Sequence, residues 1–320
     1  MTTPLHLPAL DGRDPLGFLA ALGLMRLVTH HLDTDARLSF DDRTAEAVLH
    51  SRYHTCDELA DNLTTLVATM PADAAIPGLP ATYPPAKIGT SGSDPVRVPR
   101  QRYPELVAAV RAAGDDEAVH WLAATASDLG QDPQGRVALT PYTAPSGQQT
   151  VRSFFQTPVS LVRNEPTYIN QALTGWRRVS GVTGEYLDHR VLRSRADHPT
   201  GEAAAELGVP GATWLATMAL PLLRLTGDGT TITATLWRNV PGHRPTMIWP
   251  LWRPTLDPAA ITTLIEHPAI SPTIINGQLT ASTASWPALG IFTIAAARRR
   301  TIEGRKNAGV LVPVSVQTRP

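Results

Sequence analysis

Three groups of basic residues in the second half of the chain are the side chains best suited to chemistry. In chain order they are Arg177 and Arg178 directly after Trp176; Arg190, Arg193 and Arg195; and Arg298, Arg299, Arg300, Arg305 and Lys306 with Asn307. A planar guanidinium group suits phosphate oxygens and base edges, and it stacks on aromatic and nucleobase faces. Arginines interleaved with Trp176 and Tyr186 have the composition of a groove that follows a phosphate backbone and stacks bases. Basic residues at the end of a helix also complement its dipole, but three consecutive arginines with two more basic residues nearby exceed what one dipole explains.

A predicted helix start adds a second candidate for phosphate binding. Ser146 to Gln149 has the Ser-x-x-Gln pattern of a capping box, and Arg152 lies one turn into the helix. A helix N-terminus leaves amide N–H groups free and presents the positive end of the helix dipole. If Ser146 and Gln149 satisfy each other, Gln148 is left to reach a phosphate, a sugar or a base edge. We therefore place Gln148, Gln149 and Arg152 among the candidate contacts; the alternative is a plain helix start without a ligand.

A phosphate-binding loop near the N-terminus is not supported by its residue types. Gly12 and Gly17 have the glycine spacing of such a loop, and they follow a predicted strand and open a predicted helix. Phe18 and Leu19, however, stand where a lysine and a hydroxyl residue would hold the phosphates and magnesium. The pattern therefore favours a turn followed by a capped helix.

Patterns typical of enzymes and metal sites are weak. His50, His54 and Cys56 lack the nearby acidic residue of the hydrolase zinc motif, so solvated or capping roles are favoured. Asp188-His189 is one acid beside one imidazole, which does not make a nuclease centre. No Gly-x-Ser-x-Gly segment marks a nucleophile. The sequence therefore predicts no enzyme activity, no metal and no cofactor.

The net charge of zero hides a strong asymmetry along the chain. Residues 1–135 hold 10 basic and 18 acidic side chains, whereas residues 136–320 hold 18 basic and 10 acidic ones. This asymmetry favours contact of the basic half with a polyanion, while the acidic half stays in solvent or docks on a basic neighbour. Only Lys87 and Lys306 are lysines. A GC-rich genome explains the lysine deficit, but it does not explain the segregation of charge.

Length and composition indicate a globular protein of about two domains. The 320 residues, 42% of them hydrophobic and 18% charged, are enough to bury a core. Cys56 alone cannot form an internal disulfide or a cysteine-based zinc site. The apolar run from Leu16 to Val28 is too short to cross a bilayer, contains Arg26, and lacks the preceding basic cluster of a signal peptide. We therefore expect a cytoplasmic protein without membrane contact.

Local patterns predict an α+β fold of mixed helices and short antiparallel strands in two halves. The acidic α/β half spans 1–135 and the basic, nucleic-acid-facing α+β half spans 136–320, with a Pro/Gly/Ser-rich linker or exposed loop over 71–104. One helix is predicted to begin after the N-cap Asp14 and to end at Leu32, and another is predicted to follow Gln149. Further helices are predicted over 56–70, 104–113, 116–129, 166–176, 212–220, 258–267 and 287–297. Strands are predicted over 5–10, 36–40, 45–49, 136–140, 222–225, 231–237 and 310–316.

Five short motifs occur in a fixed order between about residues 5 and 313. They are LDGRDPLGFLAALG at 10–23; Thr140-Pro141 leading into Ser146-Gly147-Gln148-Gln149; GATWLA at 211–216 running into Leu220-Pro221-Leu222; Trp249-Pro250-Leu251-Trp252; and Arg299-Arg300 with Lys306-Asn307. In this order and spacing they resemble the large-subunit proteins of type I-G (formerly I-U) CRISPR systems.

The resemblance implies a non-catalytic subunit of a crRNA-guided surveillance complex, Cascade, that takes part in antiviral defence. Such a subunit holds the crRNA 5′ end with its neighbours, reads the short protospacer-adjacent motif on duplex DNA, and helps to recruit the helicase-nuclease. Its partners are then crRNA, target double-stranded DNA, the Cascade backbone subunits and the helicase-nuclease, while base pairing supplies the sequence specificity. Two alternatives stay open: an adaptor that contacts only protein, and a small hydrolase that uses residues such as His50 or Asp188.

Overall fold

The computed structural model describes residues 3–87, 93–143, 149–191, 206–239, 244–301 and 309–320. Helices mix with short, mainly antiparallel strands in small sheets, which confirms the predicted α+β class. The helices are α1 (Pro15–Leu27), α2 (Cys56–Thr69), α3 (Tyr103–Thr125), α4 (Val151–Asn164), α5 (Thr167–Thr174), α6 (Pro210–Thr217), α7 (Pro258–Glu266) and α8 (Trp286–Leu289). The first strands are β1 (Thr3–Asp11), β2 (Arg37–Phe40), β3 (Glu46–Ser51), β4 (Ala126–Gln131), β5 (Val137–Leu139), β6 (Val179–Ser180), β7 (Leu207–Gly208) and β8 (Leu225–Gly227). The later strands are β9 (Ile232–Ala234), β10 (Trp237–Arg238), β11 (Thr246–Trp252), β12 (Thr273–Ile275), β13 (Gln278–Ser282), β14 (Ile291–Arg300), β15 (Val310–Val314) and β16 (Gln317–Arg319). Within the described ranges, no helix has the length and apolar character needed to cross a membrane.

Helix α1 is buried on all sides, as its sequence predicts. The Asp14 side chain caps it by accepting hydrogen bonds from the amides of Leu16 and Gly17, at 2.9 and 3.4 Å. Pro15 occupies the first helical position, where no N–H is needed. The predicted helix continues to Leu32, with its last turn in π geometry. Since the cap uses these amides, they are not free to hold a phosphate.

The close packing of α1 on α6 joins the two charge halves. A Cβ atom at Gly23 would lie 1.7 Å from the carbonyl oxygen of Leu215, so only glycine allows this approach. One hydrophobic core contains residues from both halves of the chain.

A three-stranded antiparallel sheet of order β1-β3-β2 lies beside this core. Leu49 of β3 pairs with Leu5 on one side and Leu38 on the other. The three strands predicted in this region are confirmed.

The second main sheet has the order β10-β11-β14-β15. Strand β11 is buried along its whole length. Its two tryptophans donate hydrogen bonds to backbone carbonyls in and next to the first sheet: Trp249 Nε1 to Gly12 at 2.7 Å, and Trp252 Nε1 to Leu38 at 3.0 Å. Buried indole N–H groups need such acceptors. These bonds fix the sheet that carries the last group of arginines.

The helix predicted over 287–297 is wrong. Only α8 is helical there, and β14 runs antiparallel to β11 over the rest of that stretch, with Ala295 opposite Trp249. Alanine favours helices, but pairing with a buried strand overrides that propensity. Arg298, Arg299 and Arg300 therefore end a strand, and the helix-dipole explanation does not apply to them.

Helix α3 also differs from the prediction. It is continuous through Gly114, where two helices were expected, and β4 follows it in place of the predicted helical end. Glycine only weakens a helix, and here it leaves room for Pro80, whose Cγ would lie 2.9 Å from a Cβ at Gly114.

The predicted linker is partly a core segment. Residues 71–87 are irregular, as expected, but Ile76, Leu79 and Tyr83 are buried in the main hydrophobic core. The prediction of an exposed loop is therefore wrong for this part of 71–104. An irregular segment can be buried when its carbonyl groups find donors, and arginine side chains supply them here.

Candidate nucleic-acid interface

Apart from the exposed Arg177, the predicted contact residues that the structure describes lie in three places: the start of α4, the surroundings of Asp188, and the end of β14. The other predicted contacts fall outside the described residues; these are Gln148, Arg193, Arg195, Arg305, Lys306 and Asn307.

The cap of α4 forms at Thr150, not at Ser146. Thr150 Oγ1 accepts from the Ser153 amide at 3.1 Å, and Ser153 Oγ accepts from the Thr150 amide at 2.8 Å. The neighbouring Gln149 donates through Nε2 to a carboxylate oxygen of Glu185. The Gln149 amide is thus bound inside the protein.

Arg152 connects α4 to the buried segment 71–87. Its Nη1 donates to the carbonyls of Ala81 and Pro84 at 2.9 and 2.7 Å, and its Nη2 donates to the Asp73 carbonyl at 2.7 Å. Its Nε donates to Gln156 Oε1 at 2.7 Å. The Arg152 guanidinium is therefore a structural clamp, and its donors are engaged within the chain.

The second place is an ion-pair network around Asp188, which is fully buried. Arg178 Nη2 lies 2.6 Å from Asp188 Oδ2, and Arg190 Nε lies 3.5 Å from Asp188 Oδ1. Arg190 also reaches Asp14 Oδ2 at 2.5 Å, and its guanidinium lies 5.5 Å from the centre of the half-buried Trp176 ring. Two carboxylates balance two guanidinium groups, so this place offers little net positive charge.

Asp14, Asp188 and His189 bring potential metal-ligand atoms within 4.8 Å of one another. Burial raises the pKa of Asp14, and the charge of Arg190 opposes that rise. A divalent cation at this position would compete with the guanidinium groups of Arg178 and Arg190 for the same oxygens. We therefore interpret the cluster as a structural network that ties residues 178–190 to the start of α1.

The third place is the end of β14, where Arg298, Arg299 and Arg300 alternate between the two faces of the sheet. Arg298 lies opposite Thr246 of β11, and its Nε donates to Thr246 Oγ1 at 2.8 Å. Arg244 lies two residues before β11, whose first residue, Thr246, pairs with Arg298; the side chains of Arg244 and Arg300 are both exposed.

We call Arg244, Arg298 and Arg300 the cationic strand end. None of the three pairs with an acidic side chain of the described ranges, unlike Arg178 and Arg190. Three unbalanced guanidinium groups at one end of a strand pair create a local positive potential.

Arg299 points to the other face of β14 and is engaged by backbone. Its Nη1 donates to the carbonyls of Tyr186 and Gly309 at 2.8 and 2.7 Å, and its Nη2 donates to those of Pro141 and Tyr142 at 3.2 and 2.7 Å. Burial lowers the pKa of Arg299 to about 9, which leaves the group charged at neutral pH. Arg299 therefore joins three loops around a fixed positive charge.

A groove of about 470 Å³ opens beside Arg299, and Arg97 and Arg244 also line it. Asp132 is the acidic residue of its lining, and Arg97 Nη2 lies 2.6 Å from Asp132 Oδ2. Burial acts to raise the pKa of Asp132, but hydrogen bonds from Arg136 and Arg97 outweigh it and lower the pKa to about 2. The lining thus combines three guanidinium groups with one carboxylate that is already paired.

Sequence patterns missed Arg97 and Arg244. Each is a lone arginine between prolines or near one, and no local signal separates it from an ordinary surface residue. Only the pairing of β11 with β14 and the folding of 93–99 next to β5 bring them to Arg299. Arg177, which the sequence predicted as a contact, is exposed and has no hydrogen bond or ion pair with any described residue.

The weak metal candidates do not converge. His50 Nε2 lies 2.9 Å from Ser39 Oγ, and Cys56 Sγ lies 3.7 Å from the carbonyl oxygen of His6. The candidate metal-ligand cluster found in the described ranges includes none of His50, His54 and Cys56.

No protein-family model matches this chain, and no curated protein sequence matches it. Its function is therefore inferred from the geometry above together with the motif resemblance.

Proposed function

We propose that this chain is a non-catalytic, nucleic-acid-binding subunit of a crRNA-guided surveillance complex in the cytoplasm. It contacts crRNA and target double-stranded DNA beside the Cascade backbone subunits, reads the protospacer-adjacent motif, and takes part in recruiting the helicase-nuclease. The motif resemblance suggests these partners, and the cationic strand end offers the contact surface.

The observation that carries the proposal is the lack of acidic partners at the cationic strand end. A side chain already paired with a carboxylate gains little from a phosphate, whereas an unpaired guanidinium gains a charge-assisted hydrogen bond and releases counterions from the nucleic acid. Among the arginines expected to bind, Arg178 and Arg190 are paired, whereas Arg298 and Arg300 have no acidic partner in the described chain.

The anchoring of Arg298 strengthens this surface. Its Nε is held by Thr246, so the side chain is already partly ordered while its two terminal nitrogens make no hydrogen bond to the described protein. A pre-ordered side chain loses less conformational entropy when it binds. Arg298 is therefore suited to a phosphate of the backbone, which fixes position without reading sequence.

The test is the salt dependence of binding by the full chain and by the guide-loaded complex, measured by mobility shift with crRNA and with target duplex. The test variant is Arg298→Gln with Arg300→Gln. The control is Arg43→Gln with Arg102→Gln, which removes the same charge from exposed arginines in the acidic half. We expect the test variant to lower the slope of log affinity against log salt for duplex DNA by about 2, at about 0.9 per phosphate contact, and the control to keep the wild-type slope.

Equal slopes for the wild type and the test variant would remove the cationic strand end from the interface. A wild-type chain that shows no salt-dependent binding to either nucleic acid, in isolation or in the complex, would favour the protein-only adaptor.

A further inference from the structure

The groove beside Arg299 contains polar atoms without hydrogen-bond partners. Arg97 Nε, Thr140 Oγ1, Trp237 Nε1 and Arg299 Nε are closed to solvent, and none of them has a hydrogen-bond partner in the described part of the protein. All four residues line the groove, and Thr140 is 1% exposed. Buried polar groups are nearly always paired, and each one left unpaired destabilises the free protein. Unpaired groups gathered in one groove indicate that a ligand completes them.

The charge of the lining selects an anion. Arg97, Arg244 and Arg299 face a single carboxylate, that of Asp132, which Arg97 and Arg136 already neutralise. A metal cation is disfavoured by this surplus of positive charge. Three of the four unpaired atoms are N–H donors, two of guanidinium groups and one of an indole, and these bind acceptor oxygens and not donors.

The remaining wall of the groove is apolar and suits a flat ring. Leu139, Pro141 and Ile232 line it, together with Trp237 and Pro245. The exposed Asn239 at its edge carries an amide that can both donate and accept hydrogen bonds. A groove of about 470 Å³ lies within the range of small-molecule sites, so it has room for a ring and a charged group together.

We propose that this groove binds one nucleotide, with its phosphate on the exposed guanidinium group of Arg244 and near the positive charge of the carbonyl-bound Arg299, and with its base against the apolar wall. Whether that nucleotide belongs to a bound strand rests on the proposed function; a free nucleotide has the same chemistry. The groove and the cationic strand end share Arg244, so a strand bound along the strand end can place one of its units in the groove.

Calorimetric titration of the full chain tests the site with three probes: adenosine 5′-monophosphate (AMP), adenosine and inorganic phosphate. We expect AMP to bind, and adenosine and phosphate each to bind at least about tenfold more weakly, because each lacks one half of the ligand. Arg244→Gln should weaken AMP binding by about tenfold, as expected for loss of one charge-assisted contact. Arg43→Gln, an exposed arginine elsewhere, should leave AMP affinity unchanged.

Thr140→Val provides a variant whose folding is not at risk. It replaces an unpaired hydroxyl by a methyl group of similar size, so we expect an unchanged or higher melting temperature together with severalfold weaker AMP binding. A lower melting temperature with unchanged AMP affinity would show that the hydroxyl serves the fold and would count against the proposal.

Competition between AMP and a labelled single-stranded RNA separates this inference from the proposed function. Displacement of the RNA by AMP supports a strand nucleotide in the groove. AMP binding without displacement supports a free nucleotide and leaves the strand surface elsewhere. RNA binding without any AMP binding at millimolar concentration, or adenosine binding as tight as that of AMP, would overturn the nucleotide site while leaving the proposed function intact.

Discussion

Replacement of Glu185 by glutamine should remove a large pH dependence from the stability of this protein. Glu185 is 3% exposed and lies in a turn in which Gly184, Glu185 and Tyr186 all have positive φ, at 58°, 49° and 57°. Such consecutive left-handed residues are strained, so surrounding contacts must hold them. Gln149 donates to the Glu185 carboxylate, and no described cation forms an ion pair with it. Burial raises the pKa of Glu185 to about 8, and the nearby charge of Glu206 adds to the rise.

The sign and size of this pH dependence follow from the pKa of Glu185 in the folded and in the unfolded chain. The ordinary pKa of a glutamate is 4.5, so the folded chain holds a proton on Glu185 between pH 4.5 and about 8 that the unfolded chain has released. Stability therefore falls as pH rises through this window and levels off above it. At about 1.4 kcal/mol per pKa unit, the whole window corresponds to a loss on the order of 5 kcal/mol.

Urea unfolding between pH 5 and pH 9 measures this loss. Glutamine resembles the protonated acid and cannot ionise, so Glu185→Gln should show a nearly flat free energy of unfolding where the wild type declines. The control is Glu105→Gln, which changes an exposed glutamate and should keep the wild-type decline. Parallel curves for the wild type and Glu185→Gln would refute the assignment of a protonated, buried Glu185.

Three further substitutions test the packing that positions the interface. Gly23→Ala should destabilise the protein by about 3 kcal/mol or prevent folding, because the new methyl group would collide with the Leu215 carbonyl, and thermal unfolding measures this. Glu117→Ala should cost about 3 kcal/mol in denaturant unfolding, since it leaves the guanidinium of Arg26, 8% exposed, without its partner at 2.5 Å. Asp14→Ala should cost about 1–2 kcal/mol in the same assay through loss of the α1 cap together with the Arg190 ion pair; a change below about 0.3 kcal/mol would contradict a stabilising role of Asp14.

Local chemistry predicted the elements that it controls. Asp14 with Pro15 marked the start of α1, and the alternation of apolar residues around Leu5, Leu38 and Leu49 marked three strands that pair as expected. The strands predicted over 222–225 and 231–237 lie at the hairpin of β8 and β9, but β8 begins only at Leu225 and β9 ends at Ala234.

Tertiary contacts decided the rest. The alanines of β14 resemble a helix in sequence, and only the buried partner β11 makes them a strand. The strand conformation determines which face of the sheet each of the three consecutive arginines lies on. The Arg299 side chain lies on the inner face and donates to four carbonyl groups, whereas Arg298 and Arg300 lie on the opposite face. Sequence composition cannot separate a buried arginine from a surface one when the two are adjacent.

The candidate groove was beyond sequence reasoning for a similar reason. Its guanidinium groups come from Arg97, Arg244 and Arg299, which are far apart in the chain and carry no shared motif. Conversely, Arg178 and Arg190 looked available in sequence, but the fold places Asp188 and Asp14 beside them.

Photo-crosslinking of the guide-loaded complex to thiouridine-substituted crRNA and thiothymidine-substituted target DNA, with mass-spectrometric mapping of the modified peptides, probes the interface most directly. We expect crosslinked peptides from the residues just before β11, which include Arg244, and from the end of β14 that carries Arg298 and Arg300. Crosslinks confined to other surfaces, or none on this chain in an assembled complex, would contradict the placement of a nucleic-acid strand on the cationic strand end.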